Sequence, residues 1–181
     1  MKSYLFLALI FISMSILGQE KKIILNKLKS SLEYRASHPL KKWSGENKNL
    51  NGVIIFNEKE KKFLKLFIAA KIIDFDSKNS NRDSHSHEVL DILNFPQVYF
   101  FSDKIEIKNN SLLINGYIDF HGVKIDKNIT INFISENNII KFKGGFDISL
   151  NDFNIPLPSL MFYKIDEKVD ISFEIEFNNE S

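Results

Sequence analysis

An alternation of apolar and polar residues along most of the chain is the feature that most constrains its fold. In the stretch 112–120, every second residue is apolar or glycine, and Asn115 and Asp119 lie between them. Successive side chains of a β-strand point to opposite faces, so this period predicts half-buried antiparallel strands. The same pattern recurs in residues 50–56, 64–72, 129–133, 142–150 and 169–177.

These strands predict one long sheet with a single apolar face, and that face must be buried. The sequence indicates only one short helix to cover it, over residues 84–95, with Asp83 or Ser84 as its cap and Pro96 after its last turn. We therefore predict an all-β chain whose sheet closes into a single antiparallel barrel of about eight strands, which also removes exposed edges. Such a barrel encloses space for side chains or for one small ligand.

The first 18 residues have the composition of a secretory signal peptide. Lys2 supplies a positive start, and the apolar stretch 4–17 is shorter than the roughly 20 residues of a membrane span. We expect cleavage between Gly18 and Gln19, with cleavage after Ser15 and a retained N-terminal anchor as alternatives. Residues 19–181 then form one domain, because no linker, repeat or low-complexity segment interrupts them.

Composition argues against several classes of function. The 181 residues include no cysteine, so disulfides, a lipid-modified cysteine and a thiol nucleophile are absent. The chain has 24 Lys and Arg against 23 Asp and Glu, and loss of Lys2 with the signal peptide makes the domain neutral. A neutral domain argues against the positive surface that binds nucleic acid or an anionic membrane. An exported chain without cysteine fits a periplasmic or secreted protein.

Two short strands are expected before the regular alternation, at residues 23–25 and 32–36. Residues 37–49 include Pro39, Gly45 and many polar side chains, and this composition predicts a loop. We interpret Trp43, in this predicted loop, as an aromatic plug that closes one end of the core. A lid residue at the mouth of the barrel is the alternative.

Several short motifs occur in an informative order. They are Asn81-Arg82-Asp83, Phe95-Pro96 before the strand 97–102, Phe120-His121-Gly122-Val123, Gly145-Phe146 and Asp152-Phe153. In this order and spacing, over roughly residues 32–177, the chain resembles the YceI-like family. The resemblance implies a periplasmic, lipocalin-like antiparallel barrel with one short helix. It also implies an apolar lumen that holds a polyisoprenoid, isoprenoid quinone or fatty-acyl molecule.

The resemblance and the alternation together define the expected site. We expect an apolar small molecule as partner, transient contact with a membrane as its source, no nucleic acid, no catalytic residue, no metal and no cofactor besides the ligand. The side chains predicted to line the lumen are Ile54, Phe56, Leu66, Ile68, Ala70, Val98, Phe100, Ile118, Phe120, Phe133, Phe142, Phe146 and Phe173. Gly116 and Gly144 on the same face are expected to leave room for the ligand. Arg82, Trp43 and His121 are assigned to the mouth or its loops.

Polar residues around the predicted helix leave other interpretations open. Asp83, His85 and His87 would serve a secreted metal-dependent hydrolase, since histidine and carboxylate are good zinc ligands. Residues two apart on a helix point to different sides, which argues against a shared metal. A packed, ligand-free barrel acting as an interaction module is a further alternative. Arg82 is interpreted as a structural partner of loop carbonyls, with contact to a ligand head group as the alternative. His121 is interpreted as a hydrogen-bonded residue at a strand end.

Overall fold

The structure is a computed structural model that describes residues 20–109, 111–136, 138–160 and 162–178. The predicted signal peptide, residues 1–18, lies outside the described residues. Strands make up 65% of the structure, so the prediction of an all-β chain is confirmed.

The elements follow one another along the chain with short connections. The strands are β1 (Glu20–Leu25), β2 (Ser31–His38), β3 (Lys41–Asn47), β4 (Asn51–Asn57), β5 (Lys62–Lys71), β6 (Gln97–Lys108), β7 (Ser111–Phe120), β8 (Val123–Glu136), β9 (Ile139–Ser149), β10 (Ser159–Leu160), β11 (Tyr163–Lys164) and β12 (Lys168–Asn178). The α-helix α1 (Ser80–Val89) connects β5 to β6, and 3₁₀ turns occur at Lys27–Lys29, Ile72–Asp74 and Leu150–Phe153.

The main sheet closes on itself through the order β1-β4-β5-β6-β7-β8-β9-β12, with β12 returning to β1. Within the described residues, the partners of this closing pair are Ile24 with Asn178 and Leu25 with Phe177. The first part of β12 pairs instead with β2, which pairs with β3, so this hairpin extends the wall toward one end. The predicted barrel of about eight antiparallel strands is confirmed.

Part of segment 37–49 is a strand, so the predicted loop is wrong. β3 pairs along its length with β2, and Trp43 lies opposite Ala36. On its other side, within the described residues, β3 makes only the isolated bridge between Glu46 and Asp76. An edge strand tolerates the polar residues that suggested a loop, and Pro39 lies in the turn, outside the hydrogen-bonded ladder.

The helix begins one turn earlier than the predicted 84–95. Asn79 is its cap, because its side-chain oxygen accepts a hydrogen bond from the Arg82 N–H at 2.9 Å. Asp83, one of the two predicted caps, instead accepts the Ser77 N–H at 3.2 Å. A short polar side chain can cap a helix or close a turn, and the sequence pattern does not distinguish these uses.

Two bulges shift the alternation inside strands. The register of β4 and β5 shifts near their turn, so Phe63 rather than Leu64 enters the core at the start of β5. The register of β6 and β7 shifts beside Ser102, whose hydroxyl accepts the Lys104 N–H at 3.1 Å. A bulge adds one residue to one strand of a pair. Because its position depends on how the two strands align, the residue pattern of one strand alone does not predict it.

Buried apolar side chains form two clusters inside the barrel. The first fills the end far from α1, and its most deeply buried members are Leu50, Ile54, Phe142 and Phe177. The second packs at the end covered by α1, and its buried members include Ile118, Phe120, Phe153 and Val169. The candidate site lies between them.

Candidate functional site

A cavity of about 740 Å³ lies inside the barrel. This volume is within the range of about 300–1,000 Å³ typical of small-molecule pockets. The lining is apolar on the barrel strands and becomes polar and exposed toward α1; we call this end the mouth. The apolar lining includes Leu32, Ala36, Leu66, Ile68, Ala70, Val98, Phe100, Ile114, Ile118, Ile129, Ile131, Phe142, Phe146, Ile148, Val169, Ile171, Phe173 and Ile175.

Ten of the thirteen side chains predicted to line the lumen border this cavity. They are Leu66, Ile68, Ala70, Val98, Phe100, Ile118, Phe120, Phe142, Phe146 and Phe173. The other three, Ile54, Phe56 and Phe133, lie in the cluster at the closed end. The Phe63 ring packs with them, with its centroid 5.1 Å from that of Phe56 and 5.9 Å from that of Phe133. Phe63 does not border the cavity, and its ring centroid lies 5.9 Å from that of the lining residue Phe142.

The sequence prediction missed the part of the wall that β2 and β3 supply. Leu32, Tyr34 and Ala36 line the cavity, and Glu33 and Arg35 alternate with them on the outer face. That period-two pattern is the signal that could have identified them. The prediction of a loop directly after residue 36 removed the partner strand that makes this hairpin part of the wall.

The two inward glycines do not provide space for a ligand, and that expectation is wrong. A Cβ at Gly116 would lie 2.3 Å from the carbonyl oxygen of Phe101. A Cβ at Gly144 would lie 2.6 Å from Cγ2 of Ile131. At Gly116 the contact is with the backbone, so this glycine permits close approach of the neighbouring strand, whereas a side chain at Gly144 would have to displace Ile131.

A hydrogen-bonded network organises the loop at the mouth. The Ser77 hydroxyl donates to the Asp83 carboxylate. Arg82 donates from Nε to the Ser77 hydroxyl at 2.8 Å and from Nη2 to the Ser77 carbonyl at 2.6 Å. The guanidinium also lies 5.9 Å from the centroid of the Trp43 ring. These contacts agree with the structural interpretation of Arg82, which nevertheless borders the cavity.

Two aromatic side chains line the cavity beneath this network. Tyr34 packs across Gly45, where a Cβ would lie 2.4 Å from its ring, and its centroid is 5.7 Å from that of Phe75. Burial raises the pKa of the Tyr34 phenol, and the negative charge of Asp83 raises it further, so the hydroxyl stays neutral. Trp43 is half-buried and lines the cavity near the mouth, which corresponds to a mouth residue rather than a plug.

His121 lies in the turn between β7 and β8 and does not line the cavity. Its Nδ1 is 3.1 Å from the Phe153 carbonyl oxygen, and its ring centroid is 4.4 Å from that of Phe95. It has a positive φ of 51°, as does the following Gly122 with 76°. This geometry agrees with the interpretation as a hydrogen-bonded residue at a strand end.

The residues of the hydrolase alternative do not converge on one point. Among the residues that the structure describes, no group of three or more His, Cys, Asp or Glu side chains could hold a metal ion. Asp83 is held by Ser77 in the loop, and His85 approaches Glu88 at 3.7 Å on the surface of α1. His85 and His87 both lie at the mouth.

The hairpin of β10 and β11 also borders the mouth. Pro158, Ser159 and Ile165 of the segment that contains β10 and β11 border the cavity. The Asp166 N–H donates to the Ser37 carbonyl at 2.8 Å, which ties this segment to the end of β2.

A closed antiparallel barrel around an apolar cavity with a polar mouth is the architecture of barrels that hold small molecules. Comparison with known families agrees with the predicted resemblance. The YceI-like domain matches residues 24–177, and the chain belongs to the YceI-like family.

Solved structures share the fold at low sequence identity. BcnA of Burkholderia cenocepacia is 15% identical, with a TM-score of 0.75, over 84% of this chain and 98% of that protein. A polyisoprenoid-binding domain from Saccharophagus degradans, implicated in plant cell wall breakdown, is 10% identical, with a TM-score of 0.70, over 87% and 98%. The YceI protein of Campylobacter jejuni is 21% identical, with a TM-score of 0.65, over 76% and 85%.

No curated protein matches this sequence. The helices in the described part of the chain all fall short of the length and apolar character that crossing a bilayer requires.

Proposed function

We propose that this protein is an exported binding protein that sequesters or carries one long apolar molecule in its barrel. The observation that carries the proposal is the cavity of about 740 Å³ with apolar side chains on its barrel strands. Membership of the YceI-like family and the fold shared with a polyisoprenoid-binding domain support a polyisoprenoid, isoprenoid quinone or fatty-acyl chain as the ligand. Binding needs no catalytic residue, metal or cofactor.

The cavity volume limits how much ligand the barrel encloses. A methylene group is similar in size to a water molecule, whose share of liquid volume is about 30 Å³. A cavity of about 740 Å³ therefore accommodates about 25 heavy atoms. A longer isoprenoid would extend through the mouth, past Arg82 and Trp43.

The energetics favour reversible exchange with a membrane over irreversible capture. Each methylene moved from water into an apolar site gains about 0.8 kcal/mol. A ligand that comes from a bilayer is already in an apolar environment, so its transfer is close to balanced. Selectivity then depends on the shape of the cavity and on polar groups at the mouth, such as the neutral hydroxyl of Tyr34.

Export is supported by the sequence of residues 1–18. Intact-mass analysis of protein purified from its native cell should show a start at Gln19 or within a few residues of it. Full-length protein in the cytoplasm would contradict export without affecting the proposal of ligand binding.

Mass spectrometry of an organic extract of the purified protein tests the binding function directly. We expect an apolar molecule with a long hydrocarbon or isoprenoid chain. Ile118→Trp, which adds bulk to the cavity, should keep the strand signal in circular dichroism and carry much less of this molecule.

Asp119→Trp is the matched control for Ile118→Trp. Asp119 faces outward on the same strand, 3.8 Å from Lys124, because one residue along a strand reverses the face. This variant should carry as much ligand as the wild type. Equal ligand content in both variants would exclude the lumen as the site.

A further inference from the structure

An exposed apolar patch lies on one side of the mouth. Phe162 is fully exposed at the tip of the hairpin, and Tyr163 and Leu40 are 57% and 61% exposed. We refer to these three residues as the apolar rim. Single exposed apolar side chains are common on protein surfaces, whereas exposed apolar residues gathered at one place indicate a contact site.

His38 joins the two loops that carry the apolar rim. It is 6% exposed, its Nδ1 accepts the Leu40 N–H at 3.2 Å, and its Nε2 lies 3.1 Å from the Tyr163 carbonyl oxygen. Its ring centroid is 6.4 Å from that of Tyr163. The turn between β2 and β3 and the β10–β11 hairpin are therefore fixed together as one surface.

The backbone at Phe162 does not explain why an aromatic residue lies there. Its φ is +71°, in the left-handed region that glycine and asparagine adopt most easily in tight hairpins. The other non-glycine residues at positive φ in the described part of the chain are all polar: Asn109, Asn138, Asn154, Asp91, Lys61, Lys78 and His121. A fully exposed phenylalanine adds nothing to the core, and an apolar side chain in this conformation is unusual enough to suggest a functional reason for it.

Basic side chains flank the apolar rim, so the charge is locally positive here although the domain as a whole is neutral. Lys41 and Lys42 begin β3, Lys164 ends the hairpin, and all three are exposed. In the part of the chain that the structure describes, none of the three forms an ion pair. The nearby Asp166 carboxylate accepts hydrogen bonds from the Ser37 hydroxyl and the Lys168 N–H.

We propose that the apolar rim inserts into the surface of a bilayer that contains anionic phospholipids, and that the flanking lysines bind the phosphate groups. Apolar side chains next to Lys or Arg are the combination that binds such surfaces. A narrow hairpin tip fits between lipid head groups. This inference rests on the proposed function for its purpose. With the apolar rim in the bilayer, the mouth of the cavity would face the lipid, and the ligand would pass between bilayer and cavity without crossing water.

Co-sedimentation with vesicles tests this docking. The probes are vesicles of phosphatidylcholine alone and vesicles with equimolar phosphatidylglycerol. The variant F162S/Y163S should bind the mixed vesicles at least about tenfold more weakly than the wild type, since two aromatic side chains lose their apolar contact. It should keep the lipid found in the organic extract, because neither residue lines the cavity.

The matched control for these substitutions is L28S/I134S. Leu28 and Ile134 are 94% and 57% exposed, and both lie away from the mouth. This control should bind vesicles as the wild type does. The variant K41Q/K42Q/K164Q should bind both kinds of vesicle equally weakly, because the preference for phosphatidylglycerol comes from the lysines.

The outcomes separate this inference from the proposed function. Wild-type vesicle binding by F162S/Y163S, or an equal loss in the control, would overturn the docking inference. A third result would also overturn it: the wild type is a dimer, F162S/Y163S is a monomer, and neither protein binds vesicles. The apolar rim would then contact a second copy of the chain. An extract without lipid would refute the proposed function but not the docking inference, because vesicle binding is measured separately from the content of the cavity.

Discussion

Replacing Ala70 by phenylalanine should shorten the longest chain that the barrel accepts. Ala70 is 1% exposed and lines the cavity from β5. The substitution adds six ring carbons to a space of about 740 Å³, and each displaces about one ligand methylene. A capacity of about 25 heavy atoms should therefore fall to about 19.

The assay measures the affinity of saturated fatty acids of increasing length by displacement of a fluorescent lipid from ligand-free protein. Each buried methylene contributes about 0.8 kcal/mol, which is roughly a fourfold gain in affinity. The gain ends where the chain no longer fits, so affinity rises with length and then levels off. In Ala70→Phe, the levelling point should move about six carbons toward shorter chains while the earlier slope stays the same.

Lys71→Phe is the matched control, because Lys71 follows Ala70 in β5 and is exposed. Overpacking typically costs about 1–3 kcal/mol, which a domain with roughly 5–15 kcal/mol of stability tolerates. The control should level off where the wild type does. If Ala70→Phe also levels off at the wild-type length, the ligand does not occupy the space beside Ala70, and the volume argument is refuted.

Three further predictions concern stability and the mouth. Phe177→Ala should lower the free energy of unfolding by about 3–5 kcal/mol in urea titrations, since Phe177 is fully buried 5.5 Å from the Phe142 ring centroid; a loss below about 1 kcal/mol would contradict the packing. Burial opposes ionisation of Glu33, but hydrogen bonds from neighbouring hydroxyl and guanidinium groups outweigh it and lower its pKa below the ordinary 4.5. The stability it adds is present above its unfolded pKa and lost as pH falls through the lower folded value, so acid unfolding of Glu33→Gln should depend less on pH below 4.5. The double variant H85A/H87A should keep the circular dichroism spectrum and the bound lipid of the wild type. Loss of stoichiometric metal together with activity would instead favour the hydrolase alternative.

The sequence predicts the barrel well because strand alternation reports burial directly. In β7, Leu112, Ile114, Ile118 and Phe120 are all buried, as their spacing indicates. Ten predicted lining residues border the cavity for the same reason.

The errors arise where the contacts of one segment depend on another. β3 is a strand only because β2 pairs with it, and its own residues are typical of a loop. Phe63 enters the core only because β4 and β5 shift register, which is a property of the pair. Asn79 and Asp83 are equally suited to capping, and the position of Ser77 decides between them. The apolar rim depends on His38, which joins two turns that are far apart in sequence.

The closing pair between β1 and β12 has a consequence for how the chain folds. Asn26 and Glu176, hydrogen-bonded beside this pair, are 150 positions apart, so the barrel closes only after its last strand has been made. Contacts this distant in sequence slow folding, because nearly the whole chain must be ordered before they form. In the part of the chain that the structure describes, the seam has two pairs of partners, compared with eleven between β9 and β12. Amide hydrogens at Ile24 and Leu25 should therefore exchange with solvent before those in the middle of β9, so the barrel opens first where it closed last.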